Sequence, residues 1–450
     1  MIEEQYNPTM GMPAGLRFAM VTTFYPPANF GGDGHAVRRL AHALARRGHE
    51  VHVIHDVDAF RSLTSKPDRA PIQEPEGVHV HALRSPLGTL SPLATQQLGR
   101  PVVHGREIRR ILDGGFDVIN FHNISLVGGP AILGYGTGIK LYTAHEHWLV
   151  CPSHILWRHN REVCTGRECF SCVLHYRRPP QLWRLGSLLE REARHVDEFL
   201  TMSEFAARNH AQFGFERPLR VIPAFLPDVL PIASRSVDAS DAPPYLLFVG
   251  RLEAIKGLQD IIPRFAGTHG PELWIAGTGD YEPQLRALAE GMPRVRFLGF
   301  QSEDQLRVLY RDALAVVIPS ICYEVFPLVV LEAFREGTPI IARDLGPFPE
   351  IIRASDGGLL FNTAEEFDRA VAVLSADPSR REAMGRAAAA AFARNWREEV
   401  AMERYFAVIR EVAQRRGLHS VLNRTQPGPY TPAARGAAWD TRSRARSLDR

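Results

Sequence analysis

Short apolar runs alternate with helical stretches along almost the whole chain, and the series occurs twice. In the first half, Arg17 to Phe24, Val51 to Ile54, Asp117 to Phe121, Leu141 to Ala144 and Phe199 to Met202 read as strands. Between the first two, Ala36 to Arg47 sets Val37, Leu40, Ala41 and Leu44 on one helical face, and Gly48 closes it. A polar stretch, Ser234 to Pro244, interrupts the pattern and reads as a linker. The second series then places strands at Tyr245 to Val249, Leu273 to Ala276, Val295 to Leu298, Ala315 to Pro319, Pro339 to Ala342 and Leu359-Leu360. Strands separated by helices join through crossovers rather than hairpins, so each series predicts a parallel sheet covered by helices. The expected fold is α/β, with two parallel-sheet domains facing a central cleft.

Length agrees, since 450 residues exceed one core and ~150 residues per domain suggests two or three. The expected organisation is a disordered N-terminus at 1–15, a first domain at 16–235 and a second at 236–395. A helix at 396–417 is expected to pack back on the first domain, and an Arg-, Ser- and Pro-rich tail at 418–450 to be disordered. A net charge of +3 is too small to argue for a nucleic-acid partner. Met1 to Gly15 lacks the basic start and apolar core of a signal peptide. No apolar run reaches the ~20 residues of a membrane span. A cytoplasmic protein is expected, with peripheral contact at the inner face of a membrane left open.

Ligands of open parallel sheets lie outside the carboxyl ends of the strands, so residues at those ends carry the chemistry. Glu324 falls just after the strand Ala315 to Pro319, and Glu332 follows eight residues later inside an apolar helix closed by Gly337. Val329, Val330, Leu331, Ala333 and Phe334 surround Glu332, which is unusual for a merely solvated acid. Phe248-Val-Gly-Arg-Leu-Glu-Ala-Ile-Lys-Gly257 supplies two cations, Arg251 and Lys256, after another strand. Two acids and two cations at strand ends suit a polyhydroxylated, phosphorylated ligand such as a sugar nucleotide. Gly31 and Gly32 sit between the first strand and its helix, where backbone can approach a phosphate or sugar closely. His145 ends another strand, with Glu146, His147 and Trp148 as neighbouring candidates that the sequence does not rank.

In this order, Gly31-Gly32-x-Gly34, Thr143-Ala-His145, Gly250-Arg-Leu-x-x-x-Lys-Gly257, Ala276-Gly-x-Gly279, Phe297-Leu-Gly299 and the Glu324/Glu332 pair resemble the retaining family-4 glycosyltransferases. The resemblance runs from about Arg17 to about Val412. It implies the GT-B architecture of two Rossmann-like domains, and transfer of a hexose-type sugar from a nucleoside diphosphate to a hydroxyl. The acceptor would be a glycan, a lipid-linked saccharide or a small molecule. It assigns Arg251 and Lys256 to the leaving diphosphate, helped by Gly250 and by backbone N–H groups near Phe326 and Leu328. Glu332 would take the ribose hydroxyls, Glu324 and His145 the transferred sugar, and Gly31 and Gly32 would line the cleft facing the donor phosphate. Base contacts are expected around Phe300 and Gln301. Ser203, Glu204 and Glu350 match further family positions more weakly. No catalytic metal and no protein general base are implied. Pro327 departs from the glycine of many relatives and has no N–H to offer a phosphate. The rival readings are a GT-B sugar-nucleotide epimerase or hydrolase, and a catalytically silent nucleotide-sugar-binding module.

Cysteines form a separate signal. Cys151, Cys164, Cys169 and Cys172 fall in one short segment, expected as an insertion at 148–185, while Cys322 stands alone beside Glu324. In a chain without export signals, such clustering favours a metal over disulfides, with structural Zn first and an iron–sulfur cluster second. His154 and His159 are substitute ligands. The surrounding arginines and tryptophans, among them Arg158, Arg177 and Trp183, suit either an anionic lipid-linked acceptor or a solvated face.

Overall fold

The computed structural model describes residues 15–64, 72–227 and 243–425, so the expected N-terminal segment, most of the linker and residues 426–450 lie outside the described residues. Two units form. The first holds the described residues up to His145, Pro179–Leu200 and the chain from Met402; the second holds Glu146–Arg178 and Thr201–Ala401.

The first sheet is built from β1 (Arg17–Val21), β2 (Glu50–Asp56), β3 (Val78–Leu83), β4 (Val118–Phe121), β5 (Ile139–Ala144), β8 (Glu198–Thr201) and β9 (Leu219–Val221). The intervening β6 (Trp157–Arg158) and β7 (Glu162–Val163) form a small antiparallel hairpin in the cysteine segment. Seven strands take the order β3-β2-β1-β4-β5-β8-β9, with β1 through β5 all parallel where they pair. Its centre is apolar on both faces: Phe18, Met20, Val51, Val53, Val118, Ile119 and Leu141 have no exposed surface. β3 is one of the two edge strands, and its polar alternation hides it from a hydrophobicity reading. His52 of β2 stacks on its His81 at 5.1 Å.

The second sheet contains β10 (Tyr245–Val249), β11 (Glu272–Ala276), β12 (Val295–Gly299), β13 (Ala315–Ile318), β14 (Ile340–Arg343) and β15 (Gly358–Phe361), in the order β12-β11-β10-β13-β14-β15. Every pairing is parallel. Helices cover both faces. One layer gathers Leu331, Phe334, Phe348 and Trp396 around Leu247 and Val316, and the other gathers Ile261, Phe265 and Phe367 around Phe248 and Val317. The two sheets thus share one winding: strand order reverses once, between β1 and β4 in the first and between β10 and β13 in the second. Such a reversal opens a crevice at the carboxyl ends of the two central strands.

The helix Glu398–Arg415 belongs to the first unit from Met402 onward, where the Tyr405 hydroxyl accepts from Asn120 Nδ2 at 3.0 Å. Residues 418–425, part of the tail expected to be disordered, are structured. His419–Arg424 is helical, and Arg424 pairs with Asp117 at 2.5 Å, which ties the segment down. The cysteine segment, expected as an insertion in the first domain, packs within the second unit because Cys151, Leu156 and Phe213 bury together, with Cys164 and Tyr323 against them.

Candidate active site

In the second unit the loops after β10 and β13 flank the reversal, and they touch. Backbone meets backbone there: Ile321 N–H donates to the Ile255 carbonyl at 2.9 Å, and a Cβ on Gly257 would stand 2.0 Å from the Pro319 carbonyl oxygen. With φ at +74°, Gly257 also occupies the left-handed region that side chains avoid. A third loop joins after β11, since a Cβ on Gly277 would lie 1.9 Å from the Gly250 carbonyl oxygen. Gly257 and Gly277 therefore have a packing reason independent of any ligand.

This seam delivers Lys256 to Glu324. Nζ lies 2.6 Å from Oε1, and the Ser320 hydroxyl donates to the same oxygen at 3.1 Å. The side chains are only 22% and 18% exposed. Burial is the largest influence on Lys256 and pulls its pKa down, but the Glu324 charge and hydrogen bond, with Cys322 beside them, together outweigh it and hold the ammonium above its ordinary value. For Glu324, burial pushes upward and the Lys256 charge and hydrogen bond pull it below the usual range. Both groups stay charged. Arg251 is more open, 56% exposed and bonded to Glu253 at 2.6 Å, yet near enough for its charge to favour ionised Glu324.

Glu332 stands on the helix Leu328–Arg335, where the Tyr310 hydroxyl donates to its Oε2 at 2.7 Å. Burial and this neighbouring carboxylate hold the Tyr310 phenol well above its normal pKa, so it remains a donor. Pro327 is the residue before that helix, and Val330 N–H donates to its carbonyl at 3.1 Å. Phe326 packs toward Trp396 at 6.2 Å, so its side chain serves the core. Leu328, half-buried, opens the helix, and Phe300 is 54% exposed just beyond β12.

Ser203 and Glu350 have structural duties in the second unit. Ser203 caps the helix Glu204–Gln212 by accepting from Ala206 N–H, and its hydroxyl donates to the Val325 carbonyl at 2.7 Å. Glu350 accepts from the Glu204 and Phe205 N–H groups at 3.0 and 2.9 Å. Ser203 thus fastens the loop after β13, and Glu350 the helix Phe348–Ser355, to the same helix start.

The first unit has its own crevice, at the ends of β1, β4 and β5. Gly31 precedes the helix Gly32–Ala45 without a side-chain cap, and a Cβ there would meet only Asp33, at 3.8 Å. The missing side chain leaves open space instead of relieving a clash. Asn123 Nδ2 donates to Asp33 Oδ2 at 3.3 Å. His145 Nε2 lies 2.8 Å from Nδ1 of His122, which follows β4. Burial pushes the His145 pKa down to about 4, the Asp33 charge opposing it, and burial likewise holds His122 well below its ordinary value. This site works with neutral imidazoles. His147 faces elsewhere, stacked on His210 at 5.2 Å in the second unit, and Glu146 pairs with His154 at 2.8 Å.

Ser320, Tyr310, Asp33, His122 and Asn123 were not singled out from the sequence. Ser320, His122 and Asn123 directly follow strands and were accessible to the strand-end rule; Tyr310 and Asp33 gain their partners only through folding.

Comparison with known proteins agrees with this fold. Residues 30–227 match the family described as Glycosyltransferase Family 4, and residues 232–391 match Glycosyl transferases group 1. A glycosyltransferase of Methanocaldococcus jannaschii is 27% identical over 374 residues, covering 76% of this chain and 84% of that one. Among solved structures, sucrose-phosphate synthase from Thermosynechococcus elongatus superposes with a TM-score of 0.67 at 20% identity, covering 89% of this chain and all of the other. Anabaena HepE in complex with UDP-glucose gives 0.59 at 17%, covering 90% of this chain and all of the other. The fold is GT-B. The chain belongs to the family-4 glycosyltransferases.

Proposed function

We propose that the protein moves a sugar from a nucleoside diphosphate to an acceptor hydroxyl with retention of anomeric configuration. The observation that carries this reading is the Lys256–Glu324 pair at the strand-order reversal of the second unit. A leaving diphosphate gathers negative charge as the glycosidic bond breaks, and a cation already fixed in position stabilises it without reorganising. The ammonium has three N–H donors, and the bond to Glu324 uses one, so the others suit phosphate oxygens. Arg251 would add a second charge from its exposed position. Glu332 would accept from ribose hydroxyls through the carboxylate that Tyr310 orients. Phe300 would lie beside the base. In the first unit, the Gly31-Gly32 turn and neutral His145 are read as recognising uncharged sugar hydroxyls. Retention rests on the family resemblance. Uridine is the first base to try, because HepE is seen with UDP-glucose.

The acceptor reading favours a lipid-linked saccharide. In the first unit Leu87, Leu90, Leu93, Leu182 and Leu185 are exposed, Leu185 by 84%, and the two segments meet where Trp183 Nε1 donates to the Gln96 carbonyl at 2.9 Å. An apolar patch of this kind suits a membrane surface. No helix of the described residues is long and apolar enough to cross one.

Screening nucleotide sugars for thermal stabilisation identifies the donor, since a ligand at 100-fold its Kd adds ~2.7 kcal/mol to the folded state. The stabilising donor is then incubated with acceptors, and NMR of the product's anomeric centre reads the stereochemistry. Inversion ends the retaining assignment, and donor consumption without acceptor indicates hydrolysis instead. Sedimentation with anionic vesicles tests the membrane reading, which fails if the protein stays in the supernatant.

A further inference from the structure

Outside the candidate active site, the second unit contains one cavity that four thiols share. Cys151, Cys164, Cys169 and Cys172 all line it, together with Leu156, Trp157 and Phe213. Its volume is about 20 Å³, room for a single water-sized sphere. Cys151 and Cys172 are buried, none of the five cysteines is in a disulfide, and Cys322 does not line this cavity.

Local backbone brings these thiols to one place. Cys169 and Cys172 stand three residues apart on the helix Cys169–His175, so both side chains leave the same face. Cys164 directly follows the hairpin of β6 and β7, and its N–H donates to the Leu156 carbonyl at 2.8 Å. That hairpin turns through His159 and Asn160, with φ of +52° and +57°, and Arg161 N–H donates back to the Arg158 carbonyl at 3.0 Å. The turn aims the His159 N–H at Cys172 Sγ, 3.2 Å away. An amide directed at sulfur stabilises a thiolate more than a thiol. Cys151 has Ser153 Oγ at 3.2 Å. Two hairpin residues in left-handed backbone, a sulfur-directed amide and four thiols lining one cavity form a costly arrangement for a segment whose apolar core is as small as Cys151, Leu156 and Phe213.

We propose that Cys151, Cys164, Cys169 and Cys172 bind one zinc ion as a closed tetrahedral thiolate site, and that this site braces the loop carrying Glu324. Four sulfur ligands leave no open position, so the role is structural. Among the described residues, no three of the sulfurs yet lie within 4.8 Å of one another, so loading contracts the cage until each bond reaches ~2.3 Å. The brace runs through Tyr323. It packs against the Cys151–Leu156–Phe213 cluster beside Cys164, meets Phe205 edge-on at 4.9 Å, and immediately precedes Glu324. Arg167, within the segment, donates to the Phe213 carbonyl and closes the other side.

The test uses the full chain, purified without chelator. Elemental analysis should find about one zinc per chain, and a mercurial should release it in proportion to four thiols. Cobalt(II) should substitute with the visible bands of a tetrahedral thiolate complex. Iron with acid-labile sulfide, or a metal-free protein whose four thiols titrate independently, overturns the assignment. Hydrogen exchange compares loaded with stripped wild-type protein, which avoids variants that fail to fold. Exchange should accelerate at 146–178 and at 320–326 on stripping; acceleration at 146–178 alone leaves the zinc and overturns the brace. Neither readout depends on turnover, so a wrong donor or acceptor leaves the result intact.

Discussion

The two sheets reverse strand order at matching places, yet the two crevices handle polarity in opposite ways. In the second unit the loops after β10 and β13 bring full charges together, and Lys256 keeps Glu324 ionised despite burial. In the first unit the residues after β4 and β5 are histidines that burial keeps uncharged, beside a turn without side chains. Topology fixes where a ligand can lie, while the side chains at the reversal decide what chemistry it meets. A crevice with a fixed cation suits phosphate; one of neutral imidazoles beside the Asp33 carboxylate suits hydroxyls.

The largest effect that would sharpen this contrast is expected at Lys256. Lys256→Ala removes the fixed cation and should lower turnover ~10²–10³-fold, about 3–4 kcal/mol of transition-state stabilisation. Unchanged turnover in steady-state kinetics would break the charged half of the comparison. Glu332→Ala should raise the donor KM about tenfold or more, as expected for losing a hydrogen bond to a charged group, worth ~1.5–3 kcal/mol. A tenfold fall in kcat with KM unmoved would assign Glu332 to the reacting end instead.

The neutral crevice makes a prediction in pH. His145 has a folded pKa of about 4, below the ~6.5 of an unfolded histidine, so its contribution to stability is complete above ~6.5 and lost as pH falls toward 4. NMR should show the His145 ring unprotonated until pH nears 4, and His145→Asn should flatten part of the acid loss in melting temperature. A ring titrating near 6.5 would erase the contrast. The Lys256–Glu324 pair behaves differently. Its glutamate contribution is present above ~4.3 and fades only as pH drops through the depressed folded value, while the lysine contribution is present below ~10.4 and fades as pH rises through the elevated one. The smallest effect belongs to Glu350→Gln, which replaces one of two accepting oxygens at the start of the helix Glu204–Gln212 by an amide NH2, while removing a charge that burial already disfavours. A loss of about 0.5–1 kcal/mol by denaturant unfolding is expected.

The parallel sheets were legible because buried central strands are continuous apolar runs, as at Phe18 to Val21 and Ala315 to Ile318. β3 and β9 escaped because edge strands need little apolar surface; Val78–Leu83 alternates with histidines, and Leu219–Val221 is three residues long. The acids and cations were legible from their strand-end positions. Their partners were not. Pairing Lys256 with Glu324 spans 68 residues, and nothing local announces it. Nor does sequence order reveal that the cysteine segment settles beside Tyr323, since that follows from apolar contacts made only after folding.

The backbone seam at Gly257 and Gly277 has an evolutionary corollary. With carbonyl oxygens standing where a methyl would go, at 2.0 and 1.9 Å, neither position has a neighbouring genotype to drift through. A library randomised there should return the parent codon almost exclusively. Under the proposed function, diversification of donor preference would travel through outlying side chains such as Phe300, around a fixed seam of main chain.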